Sequence, residues 1–255
     1  MIHFTARISF ADEHRNGEWC VRRRAARRVQ VSATMIFADR TEAGQKLAKK
    51  LSAYARRNDV IVLGIPRGGV PVALEIATEL EAPLDVFIAR KLGVPGHEEL
   101  AFGAVASGGV RYLDREIVES VGVAESEIAR VTEQERKELE RREHVYRGGR
   151  PAQKVEGQTA ILVDDGIATG ASMEAAIAAL RQLRPSRIIV AVPVAPQSTC
   201  KRLRPEVDDL VCLDAPELFY AIGQFYDDFS QLTDDEVIEM LHRGASVSAK
   251  HRSSA

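Results

Sequence analysis

The sequence predicts an α/β protein with a three-layer α/β/α fold around a mostly parallel, doubly wound sheet. Short apolar runs of strand length alternate along the chain with segments of helical periodicity. Each run is apolar over most of its length, which is typical of parallel strands covered by helices on both faces. The predicted strands of this sheet are residues 60–65, 84–89, 160–163, 187–192 and 209–213.

Helical segments connect these strands. The first begins at Asp39, a residue type that caps helix N-termini. A hairpin is predicted where Gly108 and Gly109 separate two short apolar runs, residues 101–106 and 110–113. The predicted core helices are residues 39–55, 70–80, 173–183 and 198–203.

Composition divides the chain into one domain with appendages. Residues 1–34 carry seven arginines without periodicity, which predicts either a disordered basic extension or a start site assigned too early, with Met35 as the natural beginning. Residues 35–243 are predicted to form a single domain. Within it, a charged helical insertion spans about residues 114–150. The Ser-, Ala- and Lys-rich residues 244–255 are predicted to be a disordered tail.

The overall charge and the cysteine pattern exclude several classes of protein. No apolar run approaches the ~20 residues that a bilayer requires, so no membrane association is expected. A net charge of −2 argues against a nucleic-acid partner. The three cysteines show no metal-binding spacing and are interpreted as reduced thiols of a cytoplasmic protein; they are Cys20, Cys200 and Cys212.

The most informative segment is residues 161–172, which read I-L-V-D-D-G-I-A-T-G-A-S. A buried strand here ends at Asp164 and Asp165, and a loop of small residues then opens onto a helix. Unpaired N–H groups and the helix dipole favour a phosphate at such a helix N-terminus. Acids that accept hydrogen bonds from sugar hydroxyls, beside a phosphate-binding loop, predict a sugar-phosphate site. The spacing fits neither a Walker A loop nor a dinucleotide fingerprint.

Two further strand ends carry unusual residues. The segment G-I-P-R-G-G leaves the strand at residues 60–65, and its glycines permit close approach of an anion beside Arg67. Arg90 and Lys91 end the strand predicted at residues 84–89. Ligands of open α/β sheets bind outside the carboxyl ends of the strands, so these groups are expected to share one site. Arg147 and Arg150 flank Gly148 and Gly149; the two arginines fit a phosphate contact, and the two glycines fit a helix C-cap equally well.

The D-D-G-I-A-T-G-A-S segment resembles the phosphoribosyl diphosphate (PRPP) motif of type I phosphoribosyltransferases, in particular an uncharacterised bacterial subgroup. The resemblance implies that Asp164 and Asp165 bind the ribose hydroxyls. It also implies a non-proline cis peptide at Pro66–Arg67. The implied 5′-phosphate loop is Ala168, Thr169, Gly170, Ala171 and Ser172. The implied pyrophosphate contacts are Arg67, Gly68, Gly69, Arg90 and Lys91.

The same resemblance implies an activity: transfer of ribose 5-phosphate from PRPP to a nitrogen acceptor, with release of pyrophosphate. Mg²⁺ would bind mainly through PRPP, with Asp165 as an indirect contact. Residues 92–99 would belong to a mobile lid. Residues 214–243, here named the hood segment, would cover the acceptor, with Tyr226 facing it. The resemblance allows a homodimer and leaves the acceptor undetermined.

Two other functions remain open at the level of sequence. Some members of the family keep the binding motif without catalysis, so a PRPP- or nucleotide-sensing regulator is an alternative. The arginines of residues 22–28 are its only candidate nucleic-acid contact, and they lack a helix-turn-helix pattern. A phosphate-ester hydrolase with Asp164 as nucleophile is less favoured, because no downstream cluster of acids accompanies the pair.

Overall fold

The structure is a computed structural model that describes residues 35–252, with side chains described to residue 245. The predicted basic extension, residues 1–34, and residues 253–255 lie outside the described residues. In chain order the elements are α1 (Arg40–Lys50), β1 (Val60–Gly64), α2 (Gly69–Leu80), β2 (Leu84–Val86), β3 (Ala89–Val94), β4 (His97–Ala106), β5 (Val110–Leu113), α3 (Arg115–Val121), α4 (Glu125–Arg147), β6 (Thr159–Val163), α5 (Ala171–Gln182), β7 (Arg187–Val194), α6 (Gln197–Leu203), β8 (Asp209–Asp214) and α7 (Asp234–Arg252).

A five-stranded sheet forms the centre, in the order β2-β1-β6-β7-β8, and every neighbouring pair is parallel. Alternate residues of each strand point to opposite faces. Val62 and Ile161 therefore pack in the cluster with α1, α2 and α7, whereas Leu63 and Leu162 pack in the cluster with α5 and α6. Helices cover both faces, as the uniformly apolar strands predict.

The strand order places a topological switch point between β1 and β6. From β1 the chain moves outward to β2 on one side, and from β6 it moves to β7 and β8 on the other. The helices that follow β1 and β6 consequently lie on opposite faces, and a crevice opens between the two carboxyl ends. The loops that leave these two strands are the Arg67 loop and the acid motif. The fold thus brings the two most informative segments of the sequence together.

The inserted part is larger than predicted. It begins at Ala89 with a separate antiparallel sheet, β3-β4-β5, and continues through α3 and α4. Gly122, in the left-handed region at φ 73°, ends α3, so the predicted single charged helix is two helices. The turn at Gly108 and Gly109 joins β4 to β5, as predicted. The two sheets are separate because β3 pairs with β4 and not with the parallel strands.

Two segments predicted as a mobile lid and a disordered tail contain regular secondary structure. Residues 92–99, predicted as a lid loop, belong to β3, β4 and their tight turn, where Gly96 has φ 80°. The strand register shifts around Gly93, so this glycine lies at a β-bulge. The helix α7 continues to Arg252, through most of the predicted disordered tail. Gly244 is buried and allows this helix to approach Leu84 closely.

Within residues 35–252, no helix combines the length and the apolar character that a bilayer span requires.

Candidate functional site

The two acids of the motif lie at the carboxyl end of β6, directly after Val163. The backbone N–H of Asp165 donates to Oδ1 of Asp164 at 2.9 Å, which holds the Asp164 carboxyl group against the backbone of Asp165. Asp165 is buried, with 7% of its surface exposed, whereas Asp164 remains partly accessible although dense protein surrounds its carboxyl group. The more accessible acid is therefore Asp164.

The loop after β1 packs directly on this acid pair. A Cβ atom added to Gly68 would lie 2.0 Å from Oδ2 of Asp165, and one added to Gly69 would lie 2.8 Å from the Cα of Asp164. Both distances are far below any van der Waals contact. The paired glycines are therefore required because they allow the loop backbone to meet the acids. The Pro66–Arg67 peptide bond in this loop is cis, as the resemblance predicts.

Arg40, the first residue of α1, forms an ion pair with the motif. Its Nε donates to Oδ2 of Asp165 at 2.8 Å, and both side chains are largely buried. Its Nη1 donates to the carbonyl of Ser230 at 2.9 Å, and its guanidinium lies 4.0 Å from the ring centroid of Phe229. Arg40 thus joins three parts of the chain: α1, the acid motif and the hood segment.

Burial and mutual repulsion perturb the titration of both acids. Burial raises the pKa of Asp164 well above its ordinary value, and the neighbouring charge of Asp165 raises it further. Burial also raises the pKa of Asp165, but the hydrogen bond and charge of Arg40 offset part of that rise. Strongly perturbed acids in a crevice are typical of functional sites. Asp164, which Arg40 does not contact directly, is the more strongly perturbed of the two.

The phosphate loop is held from behind by α6. Thr199 Oγ1 donates to the carbonyl of Ala168 at 3.0 Å, and the guanidinium of Arg202 donates to the carbonyl of Thr169. Gly170 adopts φ 88° and begins α5 as its N-cap. Among the described residues, no acceptor is found for the backbone N–H groups of residues 168–172.

The side chains of this loop complete its polar surface. The side chains of Thr169 and Ser172 are exposed beside those free N–H groups. The carbonyls of this loop face α6, and its unpaired N–H groups lie at the N-terminus of α5. This arrangement forms an anion-binding surface. The predicted phosphate-loop residues are thus brought together with the acid pair.

Arg67 projects from the loop after β1 toward α7. Its Nη1 lies 3.8 Å from Oδ1 of Asp234, and that oxygen also accepts a hydrogen bond from the hydroxyl of Tyr146 at 2.8 Å. The Arg67 side chain is 39% exposed and so remains accessible to an anion. The end of the inserted helix α4 therefore contacts the loop that carries Arg67 through one carboxylate.

Arg90 and Lys91 are placed differently from the prediction. They lie in β3 of the separate sheet, not at the end of β2. Arg90 pairs with Glu135 of α4, and Nζ of Lys91 lies 3.5 Å from Glu99. Among the described contacts, neither cation touches the acid pair. Both partners, Glu135 and Glu99, lie in the inserted part of the chain, because β3 belongs to the separate antiparallel sheet.

Tyr226 also differs from the prediction, because its side chain is surrounded by protein and does not face an acceptor site. It is 6% exposed, and its hydroxyl donates to the backbone carbonyl of Asp165 at 2.6 Å. Its ring lies 5.5 Å from that of Phe37 and 5.0 Å from that of Phe229. The aromatic cluster of the hood segment is thus a small core beneath the motif, with Tyr226 as a support. Tyr220, which is 86% exposed, is the tyrosine of this segment that is open to solvent.

Several supporting residues carry no signal in the sequence. Arg40 follows an ordinary helix cap, and Thr199 and Arg202 lie in a short polar helix. Arg147 is also structural: it is 8% exposed, its Nε donates to Asp85 at 3.0 Å, and Gly148 is the left-handed C-cap of α4. The C-cap interpretation of its glycines is correct. These roles depend on contacts between distant segments, which no local pattern reveals.

Few side chains of the site could bind a metal ion. Within residues 35–252, no group of three or more His, Cys, Asp or Glu side chains is arranged to hold a metal ion. Two adjacent carboxylates are nevertheless sufficient where a substrate supplies the remaining oxygens, as is usual for Mg²⁺. Asp164 and Asp165 therefore fit a magnesium ion that arrives with a phosphate ligand.

Comparisons with known proteins agree with this geometry. Residues 32–230 match the family described as phosphoribosyl transferase domain. Two Mycobacterium tuberculosis proteins, from strains CDC 1551 / Oshkosh and H37Rv, are 44% identical over 208 residues, and their names class them provisionally as phosphoribosyl transferases. The match covers 82% of this chain and 47% of each relative, so the chain spans about half the length of these relatives.

A solved structure shares this fold. The crystal structure of TT1426 from Thermus thermophilus is 41% identical, superposes with a TM-score of 0.75, and is matched over 82% of this chain and 99% of that chain. The family match itself spans most of the sequence, including the Arg67 loop and the acid motif. The chain therefore belongs to the phosphoribosyl transferase domain family.

Proposed function

We propose that this protein is a phosphoribosyltransferase that transfers ribose 5-phosphate from PRPP to a nitrogen acceptor and releases pyrophosphate. The observation that carries the proposal is the pairing, at one switch point, of an accessible acid with a phosphate loop whose N–H groups lack acceptors among the described residues. Asp164 binds the ribose hydroxyls, and the loop from Ala168 to Ser172 binds the 5′-phosphate.

The diphosphate of PRPP binds the loop after β1. Arg67, whose side chain is 39% exposed, supplies the positive charge for this anion, beside the two glycines whose backbone packs on the acid pair. As the C1–O bond breaks, negative charge grows on the diphosphate and positive charge on the ribose. Arg67 stabilises the first charge and the acid pair stabilises the second.

The acceptor nitrogen forms the new bond to C1 and loses a proton, for which Asp164 is the proposed acceptor. Mg²⁺, held by the PRPP oxygens with Asp164 and indirectly Asp165, would neutralise part of the leaving-group charge. Tyr220 lies in the hood segment close to Ile222, whose side chain covers Gly166 of the motif. Because Tyr226 is buried and Tyr220 is the exposed tyrosine of this segment, we assign the acceptor contact to Tyr220.

The test has two stages. Calorimetry with PRPP and MgCl₂ measures binding to the full chain, and a pyrophosphate assay then screens purines, pyrimidines and simple amines as acceptors. We expect binding and acceptor-dependent release, and expect Asp164→Asn to lose about 3–4 kcal/mol of transition-state stabilisation. Asp59→Asn, which removes an exposed carboxylate paired with Arg57, is the matched control and should behave as wild type.

The outcomes separate the candidate functions. Binding of PRPP without release of pyrophosphate from any acceptor would favour the sensing regulator. Absence of PRPP binding in the wild-type chain would contradict both functions. Equal activity of Asp164→Asn and Asp59→Asn would contradict the role given to the acid pair.

A further inference from the structure

The helix α6 holds two successive peptide groups of the phosphate loop. Thr199 and Arg202 are three residues apart in this helix and therefore lie on one face of it. The hydroxyl of Thr199 donates to the carbonyl of Ala168 at 3.0 Å, and the guanidinium of Arg202 donates to the carbonyl of Thr169. Side chains of another helix thus orient the loop that precedes α5.

The direction of each carbonyl determines the direction of the N–H group in the same peptide unit. In a trans peptide the C=O and N–H bonds point in opposite directions, and among the described residues only the Pro66–Arg67 bond is cis. Since the carbonyls of Ala168 and Thr169 point to α6, the N–H groups of Thr169 and Gly170 point away from it. Neither N–H group has an acceptor among the described residues. Two neighbouring donors on one side of the loop suit a bound anion.

Arg202 also packs against the loop and pairs with the helix that follows it. A Cβ atom added to Gly170 would lie 2.7 Å from Nη2 of Arg202 and 2.9 Å from Cγ2 of Thr199. The Nε of Arg202 donates to Oε1 of Glu174, which lies in the first turn of α5. A carboxylate in this turn repels an anion at the helix N-terminus, and the charge of Arg202 offsets that repulsion.

On the basis of the proposed function, we infer that Arg202 is a positioning residue for the 5′-phosphate. It holds the Thr169–Gly170 peptide group so that the Gly170 N–H faces the phosphate, and it offsets the charge of Glu174. The planar fork of an arginine can make both contacts at once. The Arg202 side chain is 52% exposed, so its replacement should alter the loop with little effect on the stability of the fold.

The first measurement needs no ligand. Thr169–Gly170 is the only Thr-Gly pair in the sequence, so protein labelled with ¹³C-carbonyl threonine and ¹⁵N-glycine gives a single carbonyl-to-nitrogen NMR correlation. A hydrogen bond to the Thr169 carbonyl polarises this peptide group, so we expect Arg202→Met to shift the correlation. The matched control is Lys201→Met, which also removes one positive charge from α6. Lys201 contacts Gln197 at 3.3 Å and, among the described contacts, not the loop, so the correlation should stay in place.

The second measurement compares two ligands by calorimetry. We expect Arg202→Met to bind ribose 5-phosphate about tenfold more weakly than wild type. Its affinity for pyrophosphate with MgCl₂ should stay within about threefold of wild type, because the proposed diphosphate site is the Arg67 loop. Arg202→Lys keeps the charge without the planar fork, so its affinity for ribose 5-phosphate should lie between those of wild type and Arg202→Met. Lys201→Met should bind both ligands as wild type does.

Several results would overturn the inference. They are an unshifted Thr169–Gly170 correlation in Arg202→Met, an affinity of this variant for ribose 5-phosphate within about threefold of wild type, equal losses for both ligands, and an equal loss in Lys201→Met. If circular dichroism shows that Arg202→Met does not fold, Arg202→Lys decides. Wild-type affinity for ribose 5-phosphate in Arg202→Lys would then refute the role of Arg202, and weaker binding would support it.

The proposed function fails in a different way. A wild-type protein that binds ribose 5-phosphate but not PRPP would contradict the transferase, and the variants would still decide the role of Arg202. A wild-type protein that binds PRPP, with Arg202→Met equal to it in both measurements, would overturn the inference alone. If wild type does not bind ribose 5-phosphate, the loop is not a phosphate site and the inference is wrong.

Discussion

The substitution Gly68→Ala tests the packing of the Arg67 loop on the acid pair. Gly68 has φ −62° and ψ −32°, which any residue adopts, so alanine adds no backbone strain. The added methyl group would lie 2.0 Å from Oδ2 and 2.4 Å from Cγ of Asp165. The carboxyl group or the loop must therefore move by about 1 Å to reach even the closest tolerated contact.

Movement of that size separates Asp165 from Arg40, and a charge-assisted hydrogen bond contributes about 1.5–3 kcal/mol. Misplacement of a binding group by about 1 Å can reduce rates by about 100-fold. We therefore expect Gly68→Ala to weaken PRPP binding, measured by calorimetry, by about 10- to 100-fold. Circular dichroism should show a folded protein, because the substitution lies at a loop and not in the sheet.

Gly149→Ala is the control, since apart from its two chain neighbours Gly149 has no atom within 4 Å of its Cβ position. Its φ of 81° makes alanine unfavourable there, so the control loses about 1–2 kcal/mol of stability without a change in PRPP affinity. If Gly68→Ala binds PRPP within about threefold of wild type, the loop does not constrain the acid pair as the contact distances imply.

Three further perturbations test other contacts. Burial raises the pKa of Asp164 in the folded protein, so the folded protein binds more protons than the unfolded chain. The free energy of unfolding therefore falls as the pH rises from the ordinary pKa of an aspartate to the raised pKa of Asp164. Asp164→Asn should flatten the fall in Tm over that window, and parallel Tm curves would contradict this. Thr199→Val removes the buried hydroxyl that binds the Ala168 carbonyl and should cost about 1–3 kcal/mol in urea unfolding, with weaker phosphate binding. Arg147→Met leaves Asp85 buried without its cation and should cost about 3–5 kcal/mol; a loss below about 1 kcal/mol would show that the pair is not buried in solution.

The sequence predicts the parallel sheet well because each of its strands has a local pattern. Uniformly apolar runs such as β6 and β7 can only be stable when covered on both faces. The inserted sheet is less predictable. Residues 84–94 contain strand-forming residues such as Val86, Phe87 and Val94 on both sides of Ala89, and no local feature shows that β3 leaves the parallel sheet after β2 to pair with β4. Partner choice between strands is a long-range property.

The difference between local patterns and long-range contacts also explains which site residues the sequence predicts. The acid pair and the small-residue loop are contiguous, so the strand-to-helix transition alone places them together at one sheet edge. Tyr226 is different, because its chemistry suits either a buried support or an acceptor contact. Tyr226 is buried against Phe37, near the start of the domain, and it therefore acts as a buried support.

The sequence by itself determined the chemistry at the end of β6: two carboxylates, a phosphate loop and the helix that follows them. Such features depend on residues within one or two turns of each other, where backbone geometry restricts the arrangement. Only the tertiary structure decided that Arg40 pairs with Asp165, 125 residues away, and that Gly68 packs on the same carboxyl group. Those contacts depend on the order of the strands and the crossing of the helices, because the sheet brings together side chains that the chain keeps far apart.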